Sequence, residues 1–341
     1  MMKVGLIDVD NRDKLNDCFP NLCLMKLSAW HKALGDSVEW YDPLFGGHYD
    51  RVYMSKVFSF SQDYEYFINA DEIFRGGSGY AINLVDGKEI YDKSLDLDLD
   101  PQIEHIYPDY SLYFSPDDYD SNGKLTKLGI KHRETAFGYM SRGCPRGCHF
   151  CHVKDKEGLC SVKVADLSEF WRGQKIINLN DPNTLACKDW RDILTQLHES
   201  GAKVDFNQGL DIRMMTEEKA HMIDSIRTEA IHFAWDRWED KELIQKKFLE
   251  FRKISRISPH NLQVFMLTNY DTTHEQDLYR VEWLKANGYA PYITIYNKAS
   301  LPQGHITRQL QRYVNMRAIF WSINSFDEYK KKDKWNEKRK E

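Results

Sequence analysis

Cys144, Cys148 and Cys151 fall within eight residues of one another, in the stretch SRGCPRGCHFCHV (141–153). Thiolates are soft ligands, so cysteines this close select zinc, copper(I) or iron–sulfur. A structural zinc site wants four ligands, commonly as two separated pairs. Here there is one trio and no second pair, with His149, His152 and Cys160 as the nearby candidates for a fourth ligand. A catalytic dithiol has no use for a third cysteine. The remaining option is a [4Fe–4S] cluster held by three thiolates, which leaves one iron open to a substrate or cofactor. Gly143 and Gly147 let the backbone turn closely around a bulky inorganic core, Pro145 stiffens the loop, and Phe150 can shield the cluster from water.

Such a loop needs a scaffold. The chain has 341 residues, 42% hydrophobic and 29% charged, enough for two domains with sizeable cores. Its 47 Lys and Arg against 52 Asp and Glu leave a net charge of −5, which gives no whole-protein field for nucleic acid. Seven cysteines are an odd number and no disulfide framework. No targeting segment or membrane-length apolar run is visible, so a cytoplasmic location and no membrane partner are expected.

Residues 1–90 read as a small α/β domain with a Rossmann-like parallel sheet. KVGLIDV (3–9), SVEWY (37–41), RVYMS (51–55), DEIF (71–74) and YAINL (80–84) read as strands, and 21–35 as a helix ending on Gly35. Residues 91–133, rich in Asp, Pro, Ser and Gly, read as a solvated surface linker. From 134 to 320 a strand-like segment leads into the cysteine loop. Strands then follow at 174–180, 203–210, 230–235, 262–267 and 291–296, with amphipathic helices between them. Six β-then-α units fall short of the eight of a closed barrel, so a partial (β/α)6 TIM-type barrel is expected, with its active groups at the strand ends. Residues 321–341 form a basic tail, solvated or touching phosphate with help from Trp335.

The C-x3-C-x2-C spacing with an aromatic before the last cysteine resembles the radical S-adenosylmethionine (SAM) enzymes. SRGCPRGCHFC is most similar to the branch that carries an N-terminal cobalamin-binding-like domain. The resemblance implies that Cys144, Cys148 and Cys151 ligate the cluster and that the open iron chelates SAM. Reductive cleavage then yields a 5′-deoxyadenosyl radical that attacks substrate, while the protein binds, orients and excludes water. It further implies SAM contacts at the strand ends: Asn180 and Asp181 after the second strand, and Gln208, Asp211 and Arg213 on the third. Asp236 and Arg237 follow the fourth, Thr268 and Asn269 the fifth, and Asn297 the sixth. A flavodoxin- or ferredoxin-like electron donor is implied as partner, with a small-molecule, peptide or nucleic-acid substrate.

The departures from that pattern shape the alternatives. The Asp-x-His-x-x-Gly segment that ligates cobalt is absent, His31 sits mid-helix, and the usual Gly-Gly-Glu is missing near Asn180. Cobalamin is left open, and with it a cobalamin-dependent methyltransferase or a base-modifying enzyme. No second cysteine trio exists for an auxiliary cluster, since Cys18, Cys23, Cys160 and Cys187 are scattered. A non-catalytic iron–sulfur or zinc protein is the alternative from a different class.

Overall fold

The computed structural model describes residues 1–11, 19–85 and 88–330. Cys18 and most of the basic tail, including Trp335, lie outside the described residues. The chain packs as two compact units, Met1–Asn180 and Asp181–Glu341. The boundary falls inside the stretch expected as one barrel domain.

The first unit opens with β1 (Lys3–Asp8), α1 (Leu22–Ala33), β2 (Ser37–Trp40), β3 (Tyr49–Ser55) and β4 (Ala70–Gly76). These strands form a parallel sheet in the order β2-β1-β3-β4. Val4 and Leu6 of β1 pack against Leu24 and Leu27 of α1 on one face. Ile7, Tyr49, Val52 and Met54 make the core of the other. Asn21 caps α1 by accepting the Leu24 N–H at 3.2 Å, a standard way to satisfy an orphan helix donor. His31 is buried and satisfied, 2.8 Å from Asp36 and 3.0 Å from the Tyr53 hydroxyl.

The stretch expected as one strand at 80–84 is split between a helical turn, α2 (Ser78–Ala81), and β5 (Ile82–Val85), which pairs antiparallel with β6 (Lys88–Tyr91). The connection that follows is packed rather than solvated. It winds through α3 (Pro101–Glu104), two 3-10 turns and α4 (Lys127–Arg133), and buries Tyr110, Tyr113, Asp118 and His132. Asp118 accepts from His132 at 2.7 Å and from Arg133 at 2.6 Å. The unit ends with β7 (Thr135–Gly138), β8 (Ser141–Arg142), α5 (Val153–Lys156), β9 (Val162–Lys163) and β10 (Ile176–Leu179), where β10 runs parallel to β7.

The second unit alternates helix and strand up to two closing helices: α6 (Trp190–Glu199), β11 (Lys203–Leu210), α7 (Glu217–Ser225), β12 (Thr228–Ala234), α8 (Lys241–Ile254), β13 (Leu262–Thr268), α9 (His274–Ala286), β14 (Ala290–Ile295), α10 (Ile306–Asn315) and α11 (Arg317–Ser322). β11 to β14 pair in parallel in sequence order. Parallel strands joined by helices are buried on both faces, and Ile231, Phe233, Leu262, Val264, Met266 and Ile293 are all fully buried. All six strands of the expected β/α array are therefore present, and the elements are α/β with two parallel sheets and two small antiparallel pairs. No helix among the described residues is long and apolar enough to cross a membrane.

Candidate functional site

β7 is buried along its length and delivers the chain into the cysteine loop at its carboxyl end. The loop is pinched at its neck, where β8 pairs antiparallel with β9, Ser141 opposite Lys163 and Arg142 opposite Val162. Inside it, the Cys144 N–H donates to the Gly158 carbonyl at 3.2 Å and the Cys151 N–H to the Cys148 carbonyl at 3.1 Å. Glu157 braces the entry, accepting from the Gly143 N–H at 3.0 Å and from Arg142 at 3.1 Å. Gly143 has φ +87°, and a Cβ there would sit 2.1 Å from the Cys160 carbonyl oxygen. Only glycine fits that position.

Cys144, Cys148 and Cys151 are each partly exposed, as is Phe150 between the last two. Among the described residues no three His, Cys, Asp or Glu side chains gather about one point as a single metal ion requires. His152, a candidate fourth ligand, faces Glu89 at 3.5 Å, while His149 and Cys160 are exposed. The donor set is thus three thiols on one loop. It fits a polynuclear iron–sulfur core and fits a closed zinc site poorly.

Beside the loop lies a cavity of 620 Å³ within the first unit, reached by Arg142, Tyr139, Glu157, Lys26 and Cys23. Its walls carry apolar side chains such as Leu97, Ile106 and Phe170 and four ion pairs: Lys26–Glu104 at 3.0 Å, Lys93–Asp98 at 3.0 Å, Arg142–Glu157 at 3.1 Å and His105–Glu169 at 2.7 Å. Burial, with Glu104 nearby, pushes the Cys23 thiol up to about 12, so it stays protonated and inert at neutral pH.

The residues expected at strand ends are found there. Asn180 follows β10, its N–H donating to the Gly138 carbonyl of β7 at 2.9 Å. Asp181 is buried and accepts from Thr184 at 3.3 Å. On β11 the register against β12 shifts between Phe206 and Leu210, and the irregularity leaves Gln208 exposed. Asp211 caps the 3-10 turn Ile212–Met214, accepting from the Arg213 N–H at 3.1 Å. The Arg213 guanidinium lies between Asp211 at 2.8 Å and Asp240 at 2.5 Å.

After β12, Trp235 is fully buried, Asp236 accepts from the Leu267 N–H at 2.9 Å, and Arg237 is exposed beside Glu239. Burial raises the Asp236 carboxyl above its ordinary value despite the opposing pull of Arg280 and Arg213. Thr268 ends β13 fully buried, donating to the Thr294 carbonyl at 3.2 Å. Asn269 (φ +61°) and Asn297 (φ +45°) turn the chain after β13 and β14, and Asn297 is exposed.

Two partners carry no mark in the sequence. Asp240 sits at the start of α8, where it reads as an ordinary helix cap. Arg280 of α9 is fully buried and reaches the carbonyls of Trp235, Asp236 (3.0 Å) and Leu267 (3.0 Å), as well as Asp277. In sequence, Asp277 and Arg280 look like a solvent-facing i, i+3 pair, and no local signal marks them as buried.

No protein-family model matches the chain, and no curated protein matches it. Among solved structures it is similar to the radical S-adenosylmethionine methyltransferase TsrM from Kitasatospora setae, a structure with cobalamin and a [4Fe–4S] cluster bound. The TM-score is 0.56 at 11% sequence identity, covering 86% of this chain and 75% of that one. The likeness is one of fold.

Proposed function

We propose that the chain is a radical SAM enzyme, which holds a [4Fe–4S] cluster on Cys144, Cys148 and Cys151 and reductively cleaves SAM to modify a substrate by radical chemistry. One observation carries the reading. The three thiols lie in a single glycine-turned loop at the carboxyl end of β7, the first strand of an α/β array whose fold is shared with a radical SAM methyltransferase.

When bound, the cluster supplies the electron that breaks the SAM sulfur–carbon bond. The chain's own residues do the rest. Gly143 and the Glu157 carboxylate hold the loop's entry, and Phe150 screens the cluster from water. Gln208, Arg237 and Asn297 present exposed polar side chains at three strand ends, suited to the amino, carboxylate and ribose groups of SAM. Asn180, Asp181, Asp236 and Thr268 line the neighbouring ends. Arg213, held by two carboxylates, acts by keeping the turn after β11 in place. An external flavodoxin- or ferredoxin-like protein delivers the electron.

The test is anaerobic reconstitution with iron and sulfide, then dithionite and SAM. About four irons per chain and release of 5′-deoxyadenosine are expected. A full cluster that cleaves no SAM would instead leave a non-catalytic iron–sulfur protein.

A further inference from the structure

In an open parallel sheet a ligand binds outside the carboxyl ends of the strands, where the strand order reverses. In the N-terminal sheet that point lies between β1 and β3, since β2 flanks one and β4 the other. The residues there are Asp8, Val9, Ser55 and Lys56, and all four are buried.

Among the described residues the chain fills most of this crevice with itself, with Asp8 Oδ1 left buried and unpartnered. The Val9 N–H donates to the Ser55 carbonyl at 3.0 Å, and Asn21 Nδ2 donates to Ser55 Oγ at 2.8 Å. Tyr113, from the connection before β7, inserts its hydroxyl: it donates to Asp8 and accepts from the Asn21 N–H at 2.8 Å. Asp10 accepts from the amides of Val57 and Phe58 and from Ser61 Oγ, which ties down the loop after β3. The glycine loop after β4, where a cofactor tail would approach closely, is also taken. The Gly79 N–H donates to the Lys56 carbonyl at 2.9 Å, and a Cβ on Gly77 would lie 2.4 Å from that same oxygen. The loop needs its glycines to meet its own backbone.

We infer that the N-terminal unit binds no cobalamin and that Tyr113 is the plug of a sealed ligand crevice. A corrin with its nucleotide tail is larger than a drug-sized ligand, which already needs a cleft of about 300–1,000 Å³. The 620 Å³ cavity does not stand in for the crevice. Asp8, Asn21, Ser55 and Tyr113 are not on its walls, where ion pairs such as Lys26–Glu104 and Arg142–Glu157 sit among apolar side chains. Taken with the function proposed above, on which this consequence rests, SAM is consumed without a corrin intermediary. SAM then gives methionine and 5′-deoxyadenosine, with one electron from the external donor and one hydrogen atom from the substrate, and no methyl group passes through cobalt.

The full chain is incubated with excess hydroxocobalamin and desalted, and its corrin absorbance is read per chain. Retention below about a tenth of an equivalent is expected, and about one equivalent overturns the inference. In parallel, Tyr113→Phe strands the buried Asn21 N–H and leaves the Asp8 carboxylate with Asn11 as its one side-chain donor, so the melting temperature falls by several degrees. A melting temperature equal to that of the wild type overturns the plug. The corrin assay needs neither iron nor SAM. Its failure therefore leaves the cluster reading standing, and failure to form 5′-deoxyadenosine leaves the sealed crevice standing.

Discussion

The two parallel sheets of this chain end differently. At the carboxyl edge of the N-terminal sheet the described polar groups turn inward: Asp8, Asn21, Ser55 and Tyr113 are all buried and hydrogen-bond with one another, with Asp8 Oδ1 left without a partner. At the carboxyl edge of β11–β14, Gln208, Arg237 and Asn297 face solvent, and the buried polar groups lie beneath them as supports. Arg280 holds three carbonyls at the ends of β12 and β13, and Arg213 is gripped by two carboxylates. Topology puts loops at the carboxyl edge of both sheets. Whether that edge becomes a site depends on where its hydrogen bonds are made: among the loops themselves, or below them so that the loop tips remain open.

The comparison breaks most sharply at the cysteines. Replacing Cys144, Cys148 or Cys151 by Ser is expected to cut bound iron from about four per chain to less than one and SAM cleavage by about a thousandfold or more. Full iron retention in any of the three would mean that this cysteine does not ligate the proposed cluster. Gly143→Ala keeps every thiol but meets the Cys160 carbonyl and forces a left-handed backbone that costs about 1–2 kcal/mol before the collision is counted. Iron per chain, read after reconstitution, should fall severalfold.

Arg280→Met tests the supports. It leaves the Asp277 carboxylate buried and uncompensated, a loss of about 3–5 kcal/mol in denaturant melts. The double variant Arg280→Met, Asp277→Leu should recover part of that loss. If the single change costs less than about 1 kcal/mol, the strand ends are not held from below.

The smallest effect sharpens the sealed edge. Burial raises the Asp8 carboxyl above its ordinary value, partly countered by hydrogen bonds from Tyr113 and Asn11. A raised acid binds its proton more tightly in the folded state. Its cost is therefore absent below the ordinary value of about 3.9, grows as pH rises toward the raised one, and is complete above it. Asp8→Asn should accordingly gain on the wild type by about 1–3 °C in melting temperature as pH rises across that window. A pH-independent difference would mean that Asp8 is not buried in solution.

Much of the fold is legible in the residues. KVDFNQGL (203–210) spans β11 as expected, and α8 is one of the amphipathic helices expected between the strands, with Asp240 at its cap. These segments carry their own period, two for a strand and 3.6 for a helix. The 80–84 segment is less legible, because Gly79 and Tyr80 begin a helical turn that the apolar run conceals. The connection at 91–133 looks solvated by composition, yet Asp118 is fully buried there. Its acidity is what His132 and Arg133 need, and that match is visible only once the three are together.

The candidate site divides in the same way. The thiol spacing and its glycines are local, so a window of a dozen residues displays them. The pairing of Arg213 with Asp240 and the reach of Arg280 to the Trp235 carbonyl span 27 and 45 residues, and no short-range pattern encodes them.

What the sequence determined by itself was the chemistry within reach of one loop: three thiols, two turning glycines and a shielding aromatic, set by covalent spacing. It also determined the alternation that makes parallel strands. Only the tertiary structure decided which strand ends stay open. That choice rests on contacts such as Tyr113 to Asp8, 105 residues apart, and burial selects the partners of a polar group only after the chain has brought them together.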